Sequence, residues 1–145
     1  MSIRVLIVDD HLEMRKELRR VFQSDREISV IGEAAGGLEA VELASEAQPD
    51  VVILDIGLQK LNGIETAAWI RRCAEKAAIL MLSIHADERY VARAVKAGAR
   101  GYLVKGFVDH EEILRAVHAV HHGGTHFSRL VAAYVPPGES RSAGS

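Results

Sequence analysis

Short apolar runs, each closed by a polar residue, punctuate the chain. Val5-Leu6-Ile7-Val8 leads into Asp9 and Asp10, and Val51-Val52-Ile53-Leu54 into Asp55. Ala78-Ile79-Leu80-Met81-Leu82 leads into Ser83, and Gly101-Tyr102-Leu103-Val104 into Lys105. Runs that are apolar at every position fit strands buried on both faces of a parallel sheet. Strands are predicted over residues 3–8, 28–34, 51–54, 79–82 and 102–104. Between them the pattern changes to a helical period. Helices are predicted over 11–23, 38–47, 64–74, 87–97 and 111–121. Their inward residues are Met14, Leu18, Val21 and Phe22 in the first, then Leu38, Val41 and Ala44 in the second. The third contains Trp69 and Ile70; the last turns Ile113, Leu114, Val117 and Val120 inward. Gly98 is placed to end the fourth helix in a left-handed turn, and Gly123-Gly124 to stop the fifth.

Five β-α repeats imply an α/β fold, a doubly wound parallel sheet with right-handed crossovers. Periodicity leaves the strand order open. The order 2-1-3-4-5 sets the first and third strands side by side, which explains Asp9, Asp10 and Asp55 best. Ligands of such sheets bind outside the carboxyl ends of the strands. Three carboxylates, a hydroxyl and an ammonium gathered there suit an oxygen-seeking cation and a phosphoryl group.

The chain has 145 residues, which fits one domain. A net charge of −2 gives this segment no electrostatic grip on nucleic acid. One cysteine, Cys73, excludes an internal disulfide and suits a reducing compartment. No stretch approaches the ~18 uninterrupted apolar residues of a spanning helix. Met1-Ser2-Ile3-Arg4 moves directly into a strand without a signal-peptide pattern. The expectation is a cytoplasmic protein with no membrane partner.

Five pieces, in order, resemble the receiver domain of two-component response regulators: Val8-Asp9-Asp10-His11, Leu54-Asp55-Ile56-Gly57-Leu58, Asn62-Gly63-Ile64-Glu65, Leu82-Ser83-Ile84-His85 and Ala97 through Lys105. Asp55-Ile56-Gly57-Leu58, Leu82-Ser83-Ile84-His85 and His122-Gly123-Gly124-Thr125 are similar to the NarL/LuxR subgroup. The resemblance implies a flavodoxin-like (βα)5 fold and a receiver over residues 1–124. Residues 125–145 are expected to be a short helix or turn, at about 130–135, and a flexible Pro-, Gly- and Ser-rich linker. In that subgroup the linker leads to a C-terminal helix-turn-helix DNA-binding domain, which is not visible in this sequence. One departure is Gln59, where the family usually has proline; it leaves that loop freer.

The resemblance also implies roles. Asp55 is the phosphoacceptor, attacking a phosphohistidine of a sensor histidine kinase to give an acyl phosphate. Asp9 and Asp10, with Asp55 and the backbone carbonyl of Gly57, hold Mg²⁺, for which Mn²⁺ can substitute. Clustered carboxylates repel one another, and a divalent cation removes that penalty. One acid of the Asp9-Asp10 pair is also free to serve the start of the following helix. Lys105 and Ser83 meet phosphoryl oxygens. Ser83 and Tyr102 form the switch, in which movement of the serine lets the tyrosine turn inward. Gly57 and His85 tune hydrolysis of the acyl phosphate. Phosphorylation is expected to expose a face for homodimerisation or domain release. DNA enters only through the second domain.

Two other readings of the acids compete. A phosphatase-like hydrolase with a transient Asp55 phosphate wants an aspartate two residues on, where this chain has Gly57. A phosphate-independent scaffold would have no need of the full acidic set. His118, His121, His122 and His126 have spacings that zinc accepts. The last turn of a helix favours histidine through its dipole, and no cysteine or acid completes the set, so the plain reading is structural. Cys73, beside Arg71 and Arg72 without a second thiol, reads as a packed or surface residue.

Overall fold

The structure is a computed structural model. It describes residues 2–58 and 62–135. Gln59 and the expected linker beyond residue 135 lie outside the described residues.

Strands β1 (Ile3–Val8), β2 (Ile28–Ala34), β3 (Val51–Leu54), β4 (Ala78–Ser83), β5 (Ala99–Val104) and β6 (His126–Phe127) alternate with α1 (Leu12–Gln23), α2 (Gly37–Ala47), α3 (Gly63–Cys73), α4 (Glu88–Lys96) and α5 (His110–His121). The sheet order is β2-β1-β3-β4-β5-β6, and every neighbouring pair is parallel. The expected 2-1-3-4-5 order is therefore present, extended by a strand that sequence patterning missed. β6 is too short to show a period. Gly101 makes room for it: a Cβ there would lie 2.6 Å from the His126 carbonyl oxygen. Phe127, Val131 and Val135 continue the core along this edge, and Ala132–Tyr134 is a short 3-10 helix.

The core lies in two layers, one on each face of the sheet. Leu6, Val8, Val52 and Leu54 point to the face covered by α2, α3 and α4. Val5, Ile7, Val51 and Ile53 point to the face covered by α1 and α5. That alternation within unbroken apolar runs is double-sided burial, as the sequence indicated. One apolar residue departs from expectation. Leu38 is exposed, because α2 starts at Gly37 and turns Ala40 and Ala44 to the sheet instead. Trp69 is also half exposed, with the Arg72 guanidinium 5.5 Å above its ring. Cys73 is half-buried against the core, its thiol 3.7 Å from the Val41 carbonyl. Gly98 adopts a positive φ of 103° at the end of α4, as expected. Among the described residues no helix is long and apolar enough to cross a membrane.

Candidate phosphoacceptor site

The residues that close the strands are held in line by the backbone. Just past the ladders, the Asp9 amide donates to the Ala34 carbonyl at 3.1 Å and the Asp55 amide to Val8 at 3.0 Å. The Lys105 amide donates to Ser83 at 2.9 Å. Parallel register does the rest: Val8 faces Leu54, Leu54 faces Met81, and Ser83 faces Val104. One rim thus carries Asp9, Asp10, Asp55, Ser83 and Lys105.

Their charges are arranged unequally. The Lys105 ammonium donates to Asp9 Oδ2 at 2.7 Å and to Asp55 Oδ2 at 3.3 Å. Burial alone pulls the Lys105 pKa down. The hydrogen bond to Asp9 and the charges of Asp55 and Asp9 outweigh that and hold it above the ordinary lysine value. Lys105 is therefore a fixed cation at neutral pH. Asp9 Oδ1 accepts from the His11 amide at 2.9 Å, which shapes the entry to α1. The Asp9 carbonyl takes a bond of 2.7 Å from the Arg15 guanidinium.

Asp10 differs. Its Oδ1 is buried and has no hydrogen-bond partner. His11 Nδ1 lies 3.0 Å away, yet the pair lacks hydrogen-bond geometry. A buried carboxylate oxygen without a hydrogen bond is costly unless something cationic meets it. Ligand atoms of Asp9, Asp10, His11 and Asp55 all lie within 4.8 Å of one another. An acidic, oxygen-rich set with an orphan acceptor fits a hard divalent cation.

Asp55 is buried, and its Oδ1 accepts from the Gly57 amide at 3.1 Å. The start of α3 is driven against the same backbone. The Gly63 amide donates to the Ile56 carbonyl at 2.9 Å. Asn62 caps the helix, accepting from the Glu65 amide at 2.9 Å while its own amide reaches Glu65 at 2.7 Å. Asp87 and Asp109 cap α4 and α5 by accepting from the Tyr90 and Glu112 amides.

Residues 5–118 match the family model of the response regulator receiver domain. This chain belongs to that family. It is similar to the transcriptional regulatory protein DegU of Brevibacillus brevis, with 36% identity over 125 residues, 86% of this chain and 52% of that protein. It is 34% identical to the nitrate/nitrite response regulator protein NarL of Escherichia coli (strain K12) over 114 residues, 79% of this chain and 52% of NarL. The crystal structure of a LuxR-family two-component response regulator from Aurantimonas sp. SI85-9A1 superposes with a TM-score of 0.87 at 32% identity, over 93% of this chain and 96% of that one. The receiver is thus of the NarL/LuxR type. The chain spans about half the length of these curated relatives.

In this receiver the β4–α4 loop joins Ser83 to Tyr102. Ser83 is buried, and its Oγ accepts from the His85 amide at 3.1 Å. The Tyr102 hydroxyl donates to the His85 carbonyl at 2.6 Å. Tyr102 is fully buried and turned inward. The His85 ring stacks on Tyr90, with centroids 4.0 Å apart and planes inclined by 14°.

Burial, reinforced by the Asp87 and Asp55 charges, pushes the Tyr102 phenol up to about 12. The unfolded chain deprotonates first, near about 10. The stability linked to Tyr102 is therefore complete below pH ~10 and falls between there and about 12. Urea midpoints taken across this window should drop more steeply for the wild type than for Tyr102→Phe. Parallel profiles would contradict the burial argument.

His11 and Arg15 escaped the sequence reading. His11 directly follows the acidic pair, a signal that was present. Arg15 and Arg19 both pair with Glu33 at the end of β2, and Arg19 holds its carboxyl below the ordinary glutamate range. That link crosses from α1 to β2, so only the topology reveals it.

Proposed function

We propose that Asp55 accepts a phosphoryl group from a sensor histidine kinase and that the acyl phosphate switches this receiver between two states. The observation that carries the proposal is the shared Lys105 ammonium between Asp9 and Asp55, beside the Asp10 oxygen that accepts no hydrogen bond. Asp10, with Asp55, Asp9 and the Gly57 carbonyl, would hold Mg²⁺ or Mn²⁺. Such an ion supplies charge neutralisation for the carboxylates and the phosphoryl oxygens. The chain's own contribution is positioning. Gly57 fixes one oxygen of Asp55, which leaves Oδ2 beside Lys105, where an incoming phosphoryl oxygen can share the ammonium.

Ser83 and Tyr102 would read the result. When Ser83 Oγ turns to a phosphoryl oxygen, the His85 amide loses its acceptor. The loop whose carbonyl anchors Tyr102 must then readjust. Such a change biases a pre-existing equilibrium by the differential contacts it creates. The output would be homodimerisation or release of a helix-turn-helix domain in a longer cytoplasmic transcription regulator. This would make the chain a phosphoacceptor that assists its own phosphorylation and dephosphorylation. Gly57 brings no general acid for turnover.

The test is intact mass after incubation with Mg²⁺ and acetyl phosphate. Trp69, half exposed under Arg72, is a poor reporter of the site. Hydrolysis of the acyl phosphate should be slow. A Cβ at position 57 would stand 3.7 Å from Asp55 Oδ1, so an amide side chain there can hold a water against the phosphoryl group. Gly57→Asn should lose phosphate several-fold faster than the wild type. If the wild type is the faster of the two, the assignment of position 57 is wrong.

A further inference from the structure

On the α1/α5 side, away from the strand ends, the fold completes a ligand set that the sequence left unfinished. Asp25 lies in the turn between α1 and β2, and His118 lies in the last turns of α5. Ligand atoms of Asp25, Glu27 and His118 all lie within 4.8 Å of one another. Asp25 Oδ2 is 2.8 Å from His118 Nε2, and Asp25 Oδ1 accepts from the Glu27 amide at 2.8 Å. The carboxylate is thus clamped with its second oxygen aimed at the imidazole. Asp25 and His118 are partly sheltered, with side-chain exposures of 18% and 28%.

A second imidazole stands on the same side of the helix. His122 follows His118 by one helical turn, and their rings are 6.3 Å apart between centroids, inclined by 23°. Imidazoles at this spacing share one face of a helix, the arrangement that helical zinc pairs use. His122 is exposed, and its ring also lies 5.0 Å from that of His121 between centroids. His126 drops out of the sequence cluster, because Glu112 accepts both its Nε2, at 2.9 Å, and the Ser128 hydroxyl.

We propose that Asp25, Glu27, His118 and His122 form a zinc site that staples the α1–β2 turn to the end of α5. Two imidazoles with two carboxylates suit a borderline first-row divalent ion and make a closed tetrahedral set. Magnesium, which demands near-octahedral oxygen, suits it poorly. On binding, the proton between His118 Nε2 and Asp25 is exchanged through solvent to Nδ1, so the ring stays neutral and the Nε2 lone pair is freed. The nitrogen lone pair and Asp25 Oδ2 then both bond to zinc, and the hydrogen bond becomes a shared coordination.

The experiment is calorimetric titration of the full chain with zinc in excess Mg²⁺. Because Asp9, Asp10, His11 and Asp55 also cluster, His11→Ala serves as the background. One equivalent should bind and should raise the melting temperature, since a ligand of the native state stabilises it. His118→Ala or His122→Ala in that background should weaken binding by about tenfold or more. His110→Ala should leave it unchanged. Should His118→Ala fail to fold, nitrogen-15 NMR of the His11→Ala protein decides the matter: zinc must shift His118 Nε2. Unchanged zinc affinity in both His118→Ala and His122→Ala, or no zinc response at His118 Nε2, overturns the site.

Discussion

Asp55→Asn, incubated with Mg²⁺ and acetyl phosphate, should gain no mass, while the wild type gains one phosphoryl group. The substitution removes the attacking oxygen and little else. An asparagine carbonyl can still accept from the Gly57 amide, and Lys105 keeps its 2.7 Å bond to Asp9. The fold should therefore survive, and loss of modification is attributable to chemistry. Lys105→Ala should still be modified, but about 10²-fold more slowly, the usual cost of deleting one preorganised donor to developing charge. It also leaves Asp9 and Asp55 facing each other without the ammonium between them. An equal mass gain in Asp55→Asn would remove Asp55 from the mechanism. A full rate in Lys105→Ala would show that its two ion pairs are structural.

Gly63→Ala should be the most damaging single-methyl change in the site. An added Cβ would sit 2.2 Å from the Asp55 carbonyl oxygen and 2.5 Å from the Ile56 Cα. Both are backbone atoms of the segment that aims Asp55, so neither can swing aside. Overpacking commonly costs about 1–3 kcal/mol, and a clash with main chain belongs at the upper end. Against a total stability of about 5–15 kcal/mol, a loss of this size is large. Urea unfolding should show a lower midpoint with an unchanged slope. Phosphorylation should slow as well, because α3 must back away and carry the β3–α3 junction with it. Gly36→Ala is the comparison. Its Cβ would meet nothing within 4 Å, so the change there should be about 1 kcal/mol or less. A Gly63→Ala midpoint indistinguishable from the wild type would refute the close approach of α3 to Asp55.

The division of labour within the acidic pair illustrates what a linear reading leaves open. Asp9 and Asp10 are adjacent and chemically identical. Asp9 is taken up by Lys105, 96 residues away, and by the His11 amide, while Asp10 keeps a buried oxygen without a hydrogen bond. Which acid stays open depends on which way β1 directs each side chain, and on what the neighbouring strands bring to meet it. Leu38 shows the same limit in the core. Its apolar character suggested an inward face, yet the start of α2 at Gly37 sets the helix phase and turns it to water.

By itself the sequence determined five of the six described strands, β5 from its carboxyl half, and the polar residues that close β1, β3, β4 and β5. Strand β1 and strand β2 run over the residues that patterning predicted, and Gly98 takes its left-handed turn. These features are local, since period, capping and turn chemistry are written within a few neighbouring residues. The tertiary structure decided the partners. It added β6 through the space left at Gly101, tied Ser83 to Tyr102 through the His85 peptide, and set Asp25 against His118 across 93 residues. Such pairings depend on how helices and strands stack, and no short window of sequence contains that information.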